Sequence, residues 1–270
     1  MPDRDAAFVG TIPPIYDRHL GPLFFQPYAD DLAARLVPTP DMRVLEVACG
    51  TGLVTRRLLE RLGGSGSILA TDLNEPMLAY GRSQIPGAPG LQWRQADAMA
   101  LPVPDRAFDA VVCGFGLLLF PGKAAAIRET FRVLRPGGTY LLNAWGPLAD
   151  NPAPRIAHET VATFFPSDPP QFYTVPFSCH DPAEICRWLA DAGFTDVTWT
   201  SLPKTGSSPS AAEAAIGLIE GNPIGPAIVE RRADAVAEIE RAVAARIAVE
   251  VGDHPVRVPL RAVVFSARRP

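Results

Sequence analysis

Residues 44–53 read Val44-Leu45-Glu46-Val47-Ala48-Cys49-Gly50-Thr51-Gly52-Leu53. An apolar run of strand type gives way to two glycines and then to the start of a helical pattern. Gly50 and Gly52 let backbone approach a ligand closely. The helix that follows turns its free N–H groups toward the same place. A dinucleotide fingerprint would carry a third glycine where this chain has Thr55, and no Gly-Lys-Ser/Thr of a nucleotide-phosphate loop is present. Glu46 decides between ligands. A carboxylate beside the turn repels a pyrophosphate and opposes a nicotinamide oxidoreductase reading; it suits a cationic ligand carrying an ammonium or a sulfonium.

Working outward, the same rhythm repeats. Strands are expected over 43–47, 67–71, 91–95, 108–113 and 139–144, with helical patterns between most of them. The runs are nearly continuous in apolar character, as in strands covered on both faces. This predicts an α/β fold with an open, doubly wound and mostly parallel sheet, whose ligand crevice lies outside the carboxyl ends of the strands. Glu46, Asp72, Asp97 and Cys113-Gly114 all fall at those ends. Asp72, about twenty residues past the glycines, stands where a carboxylate accepts from both hydroxyls of a ribose. Asp97-Ala98 stands where a carboxylate could accept from an exocyclic adenine amine, and Leu73 and Met77 are placed to bracket the purine.

The rhythm breaks after Trp145. Residues 147–180 are rich in proline and aromatics without a clean period. Order restarts at Asp181-Pro182-Ala183-Glu184, which reads as a capped helix start. A strand is expected over 197–201, a loop of Pro, Gly and Ser over 203–210, helices near 211–220 and 226–249, and a final strand over 257–267 that could pair antiparallel at the edge of the sheet. Residues 1–40 are expected as an N-terminal helical lid segment. Residues 41–146, 181–202 and 255–270 are expected as the core, and 147–180 and 203–254 as insertions covering the crevice.

Composition bounds the function. The 270 residues carry a formal net charge of −4, with 47% hydrophobic and 20% charged residues. That is an ordinary globular profile, and its mild acidity argues against non-specific nucleic-acid binding. The start carries Asp3, Arg4 and Asp5 and no apolar signal core, and no long uncharged apolar run occurs, so a cytoplasmic protein without membrane insertion is expected. The four cysteines have no CxxC spacing.

At these residues the chain resembles the class I S-adenosylmethionine-dependent methyltransferases, of the ubiquinone/menaquinone C-methyltransferase-like group. The resemblance covers roughly residues 40–145 and rests on 44–52, Thr71-Asp72-Leu73-Asn74-Glu75-Pro76-Met77, Ala96-Asp97-Ala98, Leu101-Pro102, Phe108-Asp109-Ala110-Val111 and Arg132-Val133-Leu134-Arg135-Pro136-Gly137-Gly138. Ala48 departs from the glycine usual there. The resemblance implies a seven-stranded Rossmann-like sheet of order 3-2-1-4-5-7-6 with the seventh strand antiparallel. It implies S-adenosyl-L-methionine as cofactor, with S-adenosyl-L-homocysteine as product. It further implies that Glu46 receives the methionyl ammonium, that Cys113-Gly114 lines the methionine side, and that an N-terminal tyrosine, here Tyr16, closes over the cofactor. Cofactor residues are therefore expected at Tyr16, Glu46, Ala48, Gly50, Gly52, Asp72, Leu73, Met77, Asp97, Ala98, Cys113 and Gly114.

The aromatics of the insertions suggest a small apolar or aromatic acceptor of quinone or natural-product type. Tyr28, Phe115 and Tyr173 are the candidate pocket residues, and His158 is the best-placed candidate base. Whether oxygen, nitrogen or carbon is methylated stays open. Asp168-Pro169-Pro170-Gln171 resembles a signature of amino-group methyltransferases, but lies far from the end of the fourth strand where that signature belongs. This counts against methylation of DNA or protein glutamine. Cys113 and Asn143 do not supply the carboxylates of a magnesium site, so no metal is expected. A cofactor-binding partner subunit without turnover is the alternative reading. An exposed sheet edge permits a homodimer without requiring one.

Overall fold

The computed structural model describes residues 6–270; the charged start read at Asp3, Arg4 and Asp5 lies outside them. In chain order the elements are α1 (Ile12–Ile15), a π-helical segment (Tyr16–Phe25), α2 (Gln26–Arg35), β1 (Met42–Val47), α3 (Leu53–Leu62), β2 (Gly66–Asp72), α4 (Glu75–Gln84), β3 (Leu91–Gln95), β4 (Phe108–Gly114), α5 (Lys123–Val133) and β5 (Leu134–Trp145). They continue with α6 (Pro152–Phe164), α7 (Pro182–Asp191), β6 (Thr195–Ser208), α8 (Ala211–Glu220), α9 (Ile224–Arg232), α10 (Val236–Glu250) and β7 (Val256–Arg268). No helix among the described residues is long and apolar enough to cross a membrane.

The seven strands form one sheet of order β3-β2-β1-β4-β5-β7-β6. β1 to β5 pair in parallel, and β7 runs antiparallel to both β5 and β6. Val44, Leu45 and Val111 are fully buried between the covering helices, which is why these strands carry apolar residues on both faces. On α10, Ile239, Val243 and Ile247 form one buried stripe at helical spacing.

Several expectations are corrected. The N-terminal segment is helical without interruption from Ile12 to Arg35, in spite of its prolines. Pro13 and Pro14 sit in a first turn, where no amide bond is lost, and Pro22 falls inside the π-helical segment, whose wider turn departs from the ladder proline would break. In the first insertion, Pro152–Phe164 forms a regular helix, and the second insertion breaks into α8, α9 and α10 around Pro223 and the Ala233–Ala235 turn.

The final strand does not lie at the sheet edge; β7 is interior and β6 is the edge. Residues 203–208, expected as loop, are the second half of β6, with Pro203 opposite Arg261 and Ser208 opposite Val256. An edge strand tolerates proline because one side of its ladder needs no donor. Gly206 is there for closeness: a Cβ at this position would overlap the carbonyl of Leu23 in the π-helical segment. Gly206→Ala is expected to push that segment off β6 and to cost about 3 kcal/mol, read as a lower urea midpoint with an unchanged slope.

Candidate active site

The cleft forms where β1, β2 and β4 end and where the N-terminal helix and both insertions cross above them. It contains a cavity of about 430 Å³ with a smaller chamber of about 40 Å³ beside it. Tyr16, Phe25, Ala48, Gly50, Gly114 and Phe115 border both spaces.

The small chamber is built on Glu46. This residue ends β1 on the buried side and is 1% exposed. Its carboxylate accepts from the Thr55 hydroxyl at 2.6 Å. Burial pushes its pKa up to about 8; the Thr55 hydrogen bond opposes that shift, and the nearby Asp72 charge adds to it. Thr51 also borders the chamber, and its Oγ1 is buried without a partner. The first residues of α3, Leu53 and Val54, complete the wall. That helix has Gly52 as N-cap and no side-chain cap; the Thr55 amide turns to Glu46, which leaves the amides of Leu53 and Val54 for a ligand. A buried acid, an unpartnered hydroxyl and uncapped amides together fit a ligand group that carries both an ammonium and a carboxylate.

In the larger cavity Asp72 faces the glycine turn. Its two oxygens accept from the backbone N–H of Gly50 at 2.9 Å and of Asn74 at 2.8 Å. These bonds tie the ends of β1 and β2 together and aim the carboxylate across the crevice. Burial raises its pKa against those bonds. Leu73, Met77, Asp97 and Ala98 border the same space, and Asp97 accepts from the Met99 N–H at 2.8 Å. Tyr16 comes down from the π-helical segment. Burial raises its phenol, with Asp72 and Asp17 adding to the effect, so the group stays a neutral donor.

Most expected residues therefore converge, and four do not. Gly52 borders neither space. It holds a left-handed φ of 85° and packs so that a Cβ would stand 2.9 Å from the Trp93 ring, so it serves the turn and not the cavity wall. Cys113 is fully buried and points the other way from Gly114, as strand alternation requires. Tyr28 is also fully buried; its hydroxyl donates to the Leu202 carbonyl at 3.0 Å, and its ring backs Phe115 and Trp145 from behind. His158 lies one turn of α6 beyond Pro154, which borders the cavity, but does not border it itself, and its Nδ1 is buried without a partner. His158→Ala is accordingly expected to leave kcat within about twofold of the parent, whereas a catalytic base would contribute at least about a hundredfold; a steady-state assay decides.

The expected pocket residue Phe115 belongs to an aromatic wall whose centre, Trp145, was not foreseen. Trp145 stacks on Phe115 at 4.1 Å between ring centres and on Phe177 at 5.8 Å, both with 22° between the planes. Phe24 and Phe25 close against the same indole at 5.9 Å. Phe115 itself holds a left-handed φ of 57°, kept there by its N–H donating to Asn143 Oδ1 at 2.8 Å. Trp145 ends β5, so the strand-end rule that picked out Glu46 and Asp72 would have found it. Tyr173 does border the cavity, and its hydroxyl donates to the Leu218 carbonyl at 2.6 Å. No group of three or more metal-ligating side chains occurs among the described residues.

A doubly wound sheet with an acid under its glycine turn and another at the end of β2 defines a nucleoside-cofactor enzyme. Residues 44–138 match the family model described as a methyltransferase domain. The ubiquinone/menaquinone biosynthesis C-methyltransferase UbiE of Ectopseudomonas mendocina is 33% identical over 177 residues, 60% of this chain and 69% of that protein. Among solved structures, a putative methyltransferase of Bacillus halodurans aligns with a TM-score of 0.59 and 20% identity, over 90% of this chain and 98% of that one. Phosphoethanolamine N-methyltransferase 2 of Haemonchus contortus, in complex with S-adenosyl-L-methionine, aligns at 0.60 and 16%, over 95% of this chain and 56% of that one. The chain belongs to the class I S-adenosylmethionine-dependent methyltransferases and is a relative of the UbiE proteins. It is an enzyme of that class with S-adenosylmethionine as its cofactor. A role as a binding protein without turnover finds no support among these relatives.

Proposed function

We propose that the enzyme methylates a small apolar or aromatic molecule whose nucleophile needs no base from the protein. One observation carries this: among the described residues, the large cavity is bordered beyond Asp72 and Asp97 by no ionisable side chain except the tyrosines Tyr16 and Tyr173. Its remaining wall is mostly Phe, Leu, Trp and Pro, with Asn151 and Asn222 as its polar members away from β2.

In this reading Glu46, Thr51 and the start of α3 hold the amino-acid end of the cofactor, Asp72 holds the ribose hydroxyls, and Asp97 with Ala98, Leu73 and Met77 holds the purine. Bound S-adenosylmethionine supplies an electrophilic methyl on a sulfonium that is already a good leaving group. What remains for the chain is alignment and exclusion of water. Gly114 and Phe115 leave room beside the strand ends, the Phe115–Trp145–Phe177 stack offers flat faces to a flat acceptor, and Tyr16 covers the cofactor side. Without a positioned base, proton-bearing alcohols are poor acceptors, and electron-rich carbon or an acidic hydroxyl is favoured.

The test is a mass-spectrometric screen with S-adenosylmethionine bearing a deuterated methyl group, run against hydroxylated arenes and against charged metabolites. Label entering only arenes supports the reading. Label entering phosphorylated or carboxylated acceptors, or none in any arene, defeats it.

A further inference from the structure

Asn222 stands in the turn between α8 and α9, forms part of the cavity wall and is 6% exposed. Its Nδ2 faces three acceptors: the Leu218 carbonyl at 3.2 Å, the Gly217 carbonyl at 3.5 Å and the Tyr173 hydroxyl oxygen at 3.4 Å. The Tyr173 proton is committed to the Leu218 carbonyl. This set fixes the sense of the amide, because turning it over would put Oδ1 against two carbonyl oxygens. Oδ1 is thereby directed away from α8, and no described donor reaches it.

The other polar groups in this part of the cavity have no such capacity. Asn151 donates through Nδ2 to the carbonyls of Pro147 at 3.0 Å and Arg261 at 3.2 Å, and its Oδ1 accepts from the Arg261 N–H at 3.0 Å. Tyr173 is committed as above. A fixed acceptor open to a mostly apolar chamber selects ligands strongly, because a bound ligand that cannot donate to it leaves the oxygen dry.

We propose that Asn222 Oδ1 is a specificity determinant: it receives a hydroxyl or N–H of the acceptor molecule, at a group other than the one methylated. This rests on the apolar-acceptor reading above. It predicts that acceptors with a hydrogen-bond donor there are preferred over their methyl ethers. Tyr173 acts through Asn222 as a positioning residue, holding the amide in one sense.

The experiment titrates 2,7-dihydroxynaphthalene and 2,7-dimethoxynaphthalene, which has no donor in either orientation, into the full chain loaded with S-adenosylhomocysteine. The diol is expected to bind about tenfold more tightly. In Asn222→Leu that preference should vanish while S-adenosylmethionine affinity is unchanged, which also reports an intact fold. Equal binding of the pair by the parent, or a preference surviving in Asn222→Leu, overturns this inference and leaves the acceptor reading standing. Failure of the parent to bind these compounds or any hydroxylated arene of the screen above overturns the acceptor reading itself, and this inference with it.

Discussion

S-adenosylmethionine binding is expected to strengthen roughly twentyfold between pH 6 and pH 8 and to release a proton below about pH 7. The free enzyme holds Glu46 in a dry chamber where burial lifts its pKa to about 8, so near neutrality the carboxyl is largely protonated. An ammonium placed against it favours the ionised form, and the proton must leave for the pair to form. Below about pH 7 each unit of acid therefore costs about tenfold in affinity; above pH 8 the ligand's own ammonium, ordinarily of pKa about 8, loses its proton and affinity falls again. The same shift makes the unliganded fold lose stability as pH rises from about 4.5 through 8, because the native state keeps a proton that the unfolded chain has released. Titration calorimetry in two buffers of different ionisation enthalpy reads the released proton directly. Glu46→Gln should bind about a hundredfold more weakly at pH 8 and lose the tenfold-per-unit weakening below about pH 7.

Asp72→Ala is expected to have the larger structural consequence. The carboxylate bonds the Gly50 and Asn74 amides as well as facing the cavity. Its removal orphans two donors at the join of β1 and β2, costing about 1–3 kcal/mol of stability in the unliganded protein. It also removes the acceptor for the ribose hydroxyls, so cofactor affinity should fall by about a hundredfold or more. Asp72→Asn keeps oxygen toward one amide and sets an NH₂ against the other. It should therefore recover part of the stability and little of the affinity. Denaturation midpoints with and without S-adenosylmethionine separate the two effects. A variant that unfolds like the parent but binds normally would remove Asp72 from the site.

How much of this was legible in the sequence follows the reach of each signal. The sheet and the strand-end acids rest on short-range patterns: apolar runs, a helical period, glycines at one turn. Those survive reading one residue at a time, with the family resemblance supplying the strand order. What was missed depends on distant neighbours. Pro203 and Gly206 have loop chemistry, and only the pairing with β7 and the approach of Leu23 make them strand. Pro13, Pro14 and Pro22 look like breaks, and only their placement in a first turn and in a π-helical turn keeps the helix whole.

Cys113 and Gly114 are adjacent in sequence, yet alternation sends one side chain into the core and leaves the other position open to the cavity. Tyr28 carries the aromatic character of a pocket residue, but β6 captures its hydroxyl. The Phe115–Trp145–Phe177 stack draws on three separate segments, so no local window contains it.

The central claim is that the fold aligns an acceptor against the cofactor without supplying a base. The most direct measurement is kcat against pH, at saturating S-adenosylmethionine, for two accepted phenolic substrates whose own pKa values differ by about two units. The account predicts that the inflection moves with the substrate by about that difference. One inflection at the same pH for both substrates would mean that a protein group takes the proton, and would contradict it.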